Sequence, residues 1–247
     1  MDFEFKIDRG EVLRYLKSNE ELKDENINNM IDEAVEEIKK ISNFRYIYKN
    51  FKIKVEADGV DILNTTLFLS GESIKKHLKD SQEVYLMAAT LGNQVDKRIS
   101  LYEKISITKS MIFDACATTA VEEGCDYVEE EIQKKAAYDG YTESTFRYSP
   151  GYGDLDIDIQ QDFLRVLDAP KKIGLTASKY NMLLPSKSVT AVIGVMEKKR
   201  NLDSAEEEKN SESGNKDLEF EEKNCKYCRL FEECELRKKG IYCGKNK

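Results

Sequence analysis

Residues 146–155, with the sequence FRYSPGYGDL, place a rigid turn directly after a predicted strand. Pro150 fixes its own φ and biases Ser149 towards an extended backbone. Gly151 and Gly153 allow a positive φ, or the close approach of a ligand to the backbone. The segment is therefore a candidate ligand-binding turn, although a Pro-Gly turn taken alone is more often an ordinary connection.

Two side chains in this segment bring the chemistry of a binding site. The guanidinium of Arg147 can hold a carboxylate through two parallel hydrogen bonds. The ring of Tyr152 offers a flat face and a polar tip. Together with backbone N–H donors at the turn, these groups suit a zwitterionic ligand that carries a flat ring.

The segment resembles the RxxPGY motif of the activation domain of cobalamin-dependent methionine synthase, which binds S-adenosylmethionine (AdoMet). It is more similar still to the free-standing bacterial relatives of that domain, in which RFSPGYGD precedes a Pro-Leu step. Three further stretches resemble the same relatives in the expected order, within roughly residues 10–197: 11–16 (EVLRYL), 88–92 (AATLG) and 184–191 (LPSKSVTA). The chain departs from the pattern at Asp156-Ile157, which replaces the Pro-Leu step, and at Tyr148, which replaces the commoner Phe.

The resemblance implies a role in repairing an oxidised cofactor. In the family, cobalamin that has become inactive cob(II)alamin is remethylated from AdoMet, with an electron from a flavodoxin or ferredoxin type of donor. This chain has no Asp-x-His-x-x-Gly signature of a histidine-on cobalamin module. The resemblance therefore implies an accessory component that works on cobalamin presented by a partner, either a separate methionine synthase or another corrinoid protein. Whether the chain counts as an enzyme by itself stays open.

The same resemblance assigns roles to residues of the turn. Arg147 would hold the carboxylate of the methionine part. The backbone around Ser149, Pro150 and Gly151 would contact the methionine or adenosine part, and Tyr152 would line the site towards the corrin. The acidic residue that binds the ligand amine in the long enzymes has no counterpart that can be placed in this sequence.

The hydrophobic pattern of residues 1–200 predicts an α+β fold with a mainly antiparallel, twisted sheet and several helices. Apolar residues recur at helical spacing over 27–41, and 44–55 alternates as in a strand. Apolar runs at 84–89 and 189–196 predict buried strands. Helices and strands do not alternate regularly, which disfavours a doubly wound fold.

Several local expectations follow from the same pattern. The long helical stretch over 108–137 is expected to be interrupted near Gly124, and 143–148 is expected to form a strand. The single histidine, His77, is expected to face solvent from a short helix. Cys116 and Cys125 are nine positions apart and should point to opposite sides of a helix as buried small residues.

Composition excludes several classes of protein. The 247 residues carry a net charge of −8, which argues against a nucleic-acid-binding protein. One histidine cannot supply a site that needs two, such as HExxH. The sequence shows neither a secretory h-region nor an apolar run that could span a bilayer, so we expect a cytoplasmic chain with reduced cysteines.

Charge and composition divide the chain into three parts. Residues 1–200 form the domain with the family resemblance. Residues 201–223 carry a net charge of −6, are nearly free of apolar side chains, and are expected to form a disordered, flexible linker. Residues 224–247 carry a net charge of +4 and form a separate, cysteine-rich tail.

The tail contains four cysteines within 19 residues, spaced C-x2-C-x5-C-x8-C: Cys225, Cys228, Cys234 and Cys243. A CxxC pair places two thiolates close enough for one metal centre, and the two further cysteines complete four potential ligands. The sequence therefore predicts a metal or cluster site. The need of a reductive activator for an electron carrier favours [4Fe–4S], and zinc stays open as the alternative.

Two other functions remain as alternatives. The first is an iron–sulfur electron-transfer or corrinoid-protein-binding module without AdoMet-dependent activity. The second is a methyltransferase for another substrate, which ranks last because no glycine-rich βαβ fingerprint is present.

Overall fold

The computed structural model describes residues 3–17 and 24–197 of the chain. The predicted linker (201–223) and the four-cysteine tail (224–247) lie outside the described residues. Seven α-helices and eight strands form within the described part of the chain: α1 (Arg9–Tyr15), α2 (Glu25–Ile41), β1 (Arg45–Val55), β2 (Gly59–Ile62), β3 (Phe68–Ser70), α3 (Glu72–Leu78), β4 (Glu83–Thr90), α4 (Asn93–Ile105), α5 (Ile107–Tyr138), β5 (Glu143–Ser144), α6 (Gln160–Leu167), α7 (Ala169–Lys172), β6 (Thr176–Ala177), β7 (Leu183–Leu184) and β8 (Ser188–Met196).

Six strands form one sheet in the order β3-β2-β1-β4-β8-β5. Every strand pair in this sheet is antiparallel. Strands β6 and β7 form a separate small hairpin. This arrangement confirms the predicted α+β fold with a mainly antiparallel sheet.

Strand β4 carries an unbroken run of mostly apolar residues from Val84 to Ala89 because both faces of the sheet are covered there. Val84 and Leu86 point into a core that includes residues of α3, α6 and α7. Tyr85 and Met87 point to the other face, where they meet side chains of α5. A strand buried on both sides needs apolar residues at successive positions, which explains the unbroken run in the sequence.

The predicted helix over 27–41 is present as α2, and its start is set by Asp24. The Asp24 side chain accepts hydrogen bonds from the backbone N–H groups of Asn26 and Ile27. This interaction satisfies two of the N–H groups that a helix leaves without partners at its start.

The predicted interruption of the long helix at Gly124 is wrong. Helix α5 runs without a break through Gly124. A Cβ at this position would lie 2.4 Å from an atom of the Phe44 ring. The glycine is therefore explained by the close approach of an aromatic ring and not by a change of helix direction.

Two further expectations are corrected by the structure. The predicted strand over 143–148 pairs as a strand only at Glu143–Ser144, and then again as an isolated bridge between Tyr148 and Val192. His77 does not face solvent: it is mostly buried, and its ring lies 4.4 Å from the ring of Phe146. Its Nε2 lies 3.0 Å from the carbonyl oxygen of Phe146.

Cys116 and Cys125 are both buried, as predicted. They belong to different hydrophobic clusters, which places them on different sides of α5. Among the residues that the structure describes, no helix is long and apolar enough to cross a membrane.

Candidate functional site

The turn that follows Tyr148 is closed by its own backbone. Tyr148 exchanges two backbone hydrogen bonds with Val192 of β8, at 3.0 and 2.8 Å. After it, the Tyr152 N–H donates to the Ser149 carbonyl at 3.1 Å, and the Gly151 N–H donates to the Leu155 carbonyl at 2.8 Å. Gly151 has a φ of +92°, a value that favours glycine. The turn is therefore a defined structure at the edge of the sheet.

The far end of this turn is fastened to helix α3. The Asp154 carboxylate accepts the backbone N–H groups of Glu72 at 2.7 Å and of Ser73 at 3.0 Å. A Cβ on Gly153 would lie 2.4 Å from the Tyr148 hydroxyl oxygen, so this position has no room for a side chain. The Gly-Asp pair of the motif thus locks the turn against α3.

Arg147 points away from the turn and towards α5, where three carboxylates surround its guanidinium. Nη1 donates to Asp126 at 2.9 Å and to Glu129 at 2.7 Å, and Nη2 donates to Glu122 at 3.3 Å. Only 19% of the Arg147 side chain is exposed. The three acids lie one helical turn apart on one face of α5, so a single guanidinium reaches all of them.

The electrostatics of this cluster are dominated by burial and by the acids. Burial works against the charged guanidinium, but the negative groups around it outweigh burial and hold the pKa of Arg147 above its ordinary value. Cys125 lies close by, and burial raises the pKa of its thiol, so the thiol is neutral near pH 7. Burial also raises the pKa of Glu122, against the attraction of Arg147 and with the repulsion of Asp126.

A second cation meets the same helix nearer its N-terminus. Lys187, directly before β8, places Nζ 2.8 Å from Asp114 Oδ1 and 2.8 Å from Thr118 Oγ1. Positions 114, 118, 122 and 126 recur every four residues, and therefore form one stripe along α5. Lys187 and Arg147 both dock on this stripe.

The predicted site residues are brought together only in part. Arg147 lies against α5, whereas the Tyr152 ring lies 6.0 Å from the Tyr148 ring, which belongs to the core on the opposite face of the sheet. Ser149 and Pro150 are half-buried between them, and Tyr152 is 56% exposed. The turn connects the face of the sheet that packs on α5 with the opposite face.

The acids around Arg147 were not singled out from the sequence. The available signal was the spacing of Glu122, Asp126 and Glu129 on the face of α5 that also carries the buried Cys125. Acidic side chains that become partly buried are paired with a cation from elsewhere in the fold. The sequence alone does not identify this cation, because the pairing depends on how the edge of the sheet packs on α5.

Metal binding finds no support in the described part of the chain. No group of three or more His, Cys, Asp or Glu side chains there has an arrangement that could hold a metal ion. The four predicted ligands, Cys225, Cys228, Cys234 and Cys243, all lie outside the described residues.

Comparison with known proteins finds a solved structure with a similar fold. No family model matches the chain, and no curated protein matches it. Among solved structures, the fold is similar to the crystal structure of the MetH reactivation domain bound to AdoHcy, with a TM-score of 0.54 and 15% sequence identity. The match covers 94% of this chain and 74% of that chain. The described residues therefore share the fold of that domain.

Proposed function

We propose that residues 1–200 form an AdoMet-binding reactivation domain that supports the reductive remethylation of cob(II)alamin on a separate protein. The partner is a cobalamin-dependent methionine synthase or another corrinoid protein, and the electron comes from a flavodoxin or ferredoxin type of donor. The observation that carries the proposal is the position of Arg147, buried among acids beside the turn that resembles the RxxPGY motif. The fold shared with the MetH reactivation domain supports it.

Arg147 retains donors for a ligand carboxylate. A guanidinium has five N–H groups. Three are directed at the carboxylates of α5, which leaves the Nε–H and one Nη2–H. Hydrogen bonds between a guanidinium and a carboxylate are among the strong ones in proteins, particularly when two form in parallel.

The acids beside Arg147 provide a place for the ligand amine, which the sequence left unassigned. Three carboxyl groups face the Arg147 guanidinium, and Arg14 also acts on Glu122, so the carboxyl groups outnumber the two guanidinium groups and leave an excess of negative charge. AdoMet has a carboxylate for Arg147, and an ammonium and a sulfonium that this excess attracts. Glu122 is 45% exposed, the most of the three acids, and is the carboxylate best placed to meet the ammonium.

Isothermal titration calorimetry with AdoMet at millimolar concentration tests the binding step. We expect binding by the wild type, weaker binding of S-adenosylhomocysteine because it lacks the sulfonium charge, and a loss of about 2–3 kcal/mol in Arg147→Ala. Arg147→Lys keeps the charge and loses the planar fork, so it should also bind weakly. Arg165→Lys, on the exposed face of α6, is the matched control. Absence of AdoMet binding by the wild type would overturn the proposal.

The reactivation step needs a separate assay. The chain, AdoMet and a chemical reductant are mixed with a corrinoid protein in its cob(II)alamin state. We expect the cob(II)alamin absorption to be replaced by that of methylcobalamin only when the chain and AdoMet are both present. If AdoMet binds and the cobalamin spectrum does not change, the chain binds AdoMet without acting as a reactivation partner.

The four-cysteine tail supports a second candidate function, that of an electron-transfer module. Residues 201–223 would link the tail flexibly to the domain, and Cys225, Cys228, Cys234 and Cys243 would hold [4Fe–4S] or zinc. Anaerobic reconstitution with iron and sulfide, and in parallel with zinc, identifies the metal through absorption and metal analysis. We expect truncation after Leu202 to abolish metal binding and to leave AdoMet binding intact, whereas Cys116→Ala should change neither. Metal retained by the truncated chain would exclude the tail as its site.

A further inference from the structure

Helix α4 presents a face that is both basic and apolar. Two shallow grooves of about 370 and 410 Å³ lie along it, and Lys97 and Leu101 line both. Arg98 lines the first groove and Lys104 lines the second. Because each residue turns a helix by about 100°, these four positions and Ile105 fall on one side, which we call the α4 face. The α4 face therefore combines three cations with two aliphatic side chains.

The positive charge of the α4 face is only partly neutralised. The guanidinium of Arg98 lies 3.0 Å from a carboxylate oxygen of Glu37. In the part of the chain that the structure describes, no ion pair joins Lys97 or Lys104 to an acid. Two ammonium groups at the grooves are therefore available to a negatively charged segment.

Leu101 and Ile105 add an apolar strip to the α4 face. They are 44% and 67% exposed, although both are large aliphatic side chains. Four residues of helix separate them by about 6 Å along the axis. Exposed apolar side chains that lie together on a surface commonly mark a contact with another segment. The grooves beside them therefore suit a peptide that carries apolar side chains as well as acids.

We infer that residues 217–222 (DLEFEE), which lie outside the described residues, dock on the α4 face of the same chain. Four of these six residues are acidic: Asp217, Glu219, Glu221 and Glu222. The other two, Leu218 and Phe220, are two positions apart, so an extended chain presents them on one side with about 7 Å between them. This spacing matches that of Leu101 and Ile105, and the flanking acids match the lysines at the grooves.

The connecting chain is long enough for this contact. Strand β8 begins beside α4, because Asp96 of that helix accepts the N–H and the hydroxyl of Ser186 at 2.6 and 2.9 Å. Nine residues of strand then lead about 30 Å away. Nineteen residues separate Glu197 from Asp217, and a flexible chain of that length spans about 25 Å r.m.s. and at most about 65 Å. The segment therefore meets the α4 face at a high effective concentration, which favours it over a separate acidic peptide.

Docking also determines where the cysteine-rich tail lies. Cys225 follows Glu222 by three residues. The predicted metal site is then held close to α4, instead of at any point that a flexible linker can reach. The contact thus selects the surface of the domain that the tail serves, and it does not rest on AdoMet binding.

Tryptophan fluorescence tests the contact, because the chain contains no tryptophan of its own. The full-length Phe220→Trp chain is measured under reducing conditions at two protein concentrations. We expect an indole emission that is blue-shifted and protected from acrylamide, equally at both concentrations. Lys97→Glu with Lys104→Glu should lower the ratio of docked to free segment about tenfold and restore the emission of an exposed indole. Lys171→Glu with Lys172→Glu, on exposed positions of α7 at the opposite face of the sheet, is the matched control and should change nothing.

An exchange of charges separates direct contact from a loss of fold. Glu219→Lys with Glu221→Lys, added to the two α4 substitutions, should restore the shielded emission, and a loss without restoration would overturn the inference. An exposed indole in the Phe220→Trp chain, or shielding that survives reversal of both α4 lysines, would also overturn it. Shielding that increases with protein concentration would assign the grooves to the segment of a second copy and overturn docking within one chain.

Discussion

Asp154 accepts the backbone N–H of Ser73 at 3.0 Å, across 81 positions of sequence, and thereby joins the candidate binding turn to the start of α3. The same carboxylate accepts the Glu72 N–H. Burial would raise the pKa of Asp154, but these hydrogen bonds outweigh burial and hold it below its ordinary value. The carboxylate thus caps a helix that is remote in sequence.

Loss of this cap should affect both stability and binding. Asp154→Ala leaves two N–H groups of α3 without acceptors and should lower the free energy of unfolding by about 1 kcal/mol. AdoMet affinity should also fall, because the turn loses its fixed end. Urea denaturation and calorimetry measure the two effects. Asp162→Ala, which removes only an exposed pair within α6, is the control, and an Asp154→Ala chain with wild-type affinity would show that the cap does not position the turn.

His77 should make stability depend on pH. Burial lowers its pKa to about 4, despite the hydrogen-bond partner at the Phe146 carbonyl. In the unfolded chain a histidine has a pKa of about 6.5. At pH values between these two pKa values, the unfolded state therefore binds more protons than the folded state. The contribution of neutral His77 to the free energy of unfolding is complete above about pH 6.5 and is lost progressively as the pH falls towards 4.

Because the chain has a single histidine, the titration can be assigned without ambiguity. We expect the imidazole signals in an NMR titration to shift only well below pH 6, and urea unfolding to show lower stability at pH 5 than at pH 7.5. His77→Gln keeps a donor for the Phe146 carbonyl and should reduce this difference. A His77 pKa near 6.5 in the folded protein would contradict the prediction.

Gly124 should resist replacement although it lies in the middle of α5. Alanine is the better helix former by about 1 kcal/mol, so helix propensity alone predicts a gain in stability. The Cβ would lie 2.4 Å from the Phe44 ring, however, and the ring is packed in the core. We expect Gly124→Ala to lower the free energy of unfolding by about 1–3 kcal/mol. In a Phe44→Leu background, the same change should cost less, and equal costs in both backgrounds would exclude Phe44 as the cause.

The sequence specified the sheet and most helices because their hydrophobic periods were regular. Helix α2 and strand β4 follow directly from such patterns, and so does the turn around Pro150, whose backbone is restricted by residue type alone. The resemblance to a known family then directed attention to Arg147. These features depend on residues that are close together in the chain.

What the sequence did not specify depends on contacts between distant segments. Gly124 was interpreted as a helix interruption because Phe44, which requires the space, lies 80 positions earlier. His77 has the sequence surroundings of an exposed helix residue, and the rings of Phe146 and Tyr148, which are distant in sequence, bury it. Glu122 and its neighbours became part of the site only when the sheet edge brought Arg147 onto α5. Such pairings require the fold, since composition and periodicity are local.

Glu122 should couple AdoMet binding to proton release. Burial raises its pKa, with Asp126 adding to the effect and Arg147 and Arg14 opposing it. An ammonium group placed beside Glu122 favours the ionised carboxylate and lowers its pKa. At pH values between the pKa of Glu122 in the complex and its pKa in the free protein, binding must therefore release a proton. AdoMet affinity should be constant above the raised pKa of Glu122 and should fall as the pH decreases through it.

Calorimetry in two buffers with different ionisation enthalpies measures this proton release directly. At a pH near the raised pKa of Glu122, we expect an apparent binding enthalpy that depends on the buffer in the wild type and does not depend on it in Glu122→Gln, which cannot titrate. Glu122→Gln should also bind AdoMet more weakly at neutral pH, by about 1–3 kcal/mol, because it removes a charged partner of the ammonium. Glu130→Gln should behave as the wild type. A buffer-independent enthalpy and a pH-independent affinity in the wild type would place the ligand amine away from Glu122.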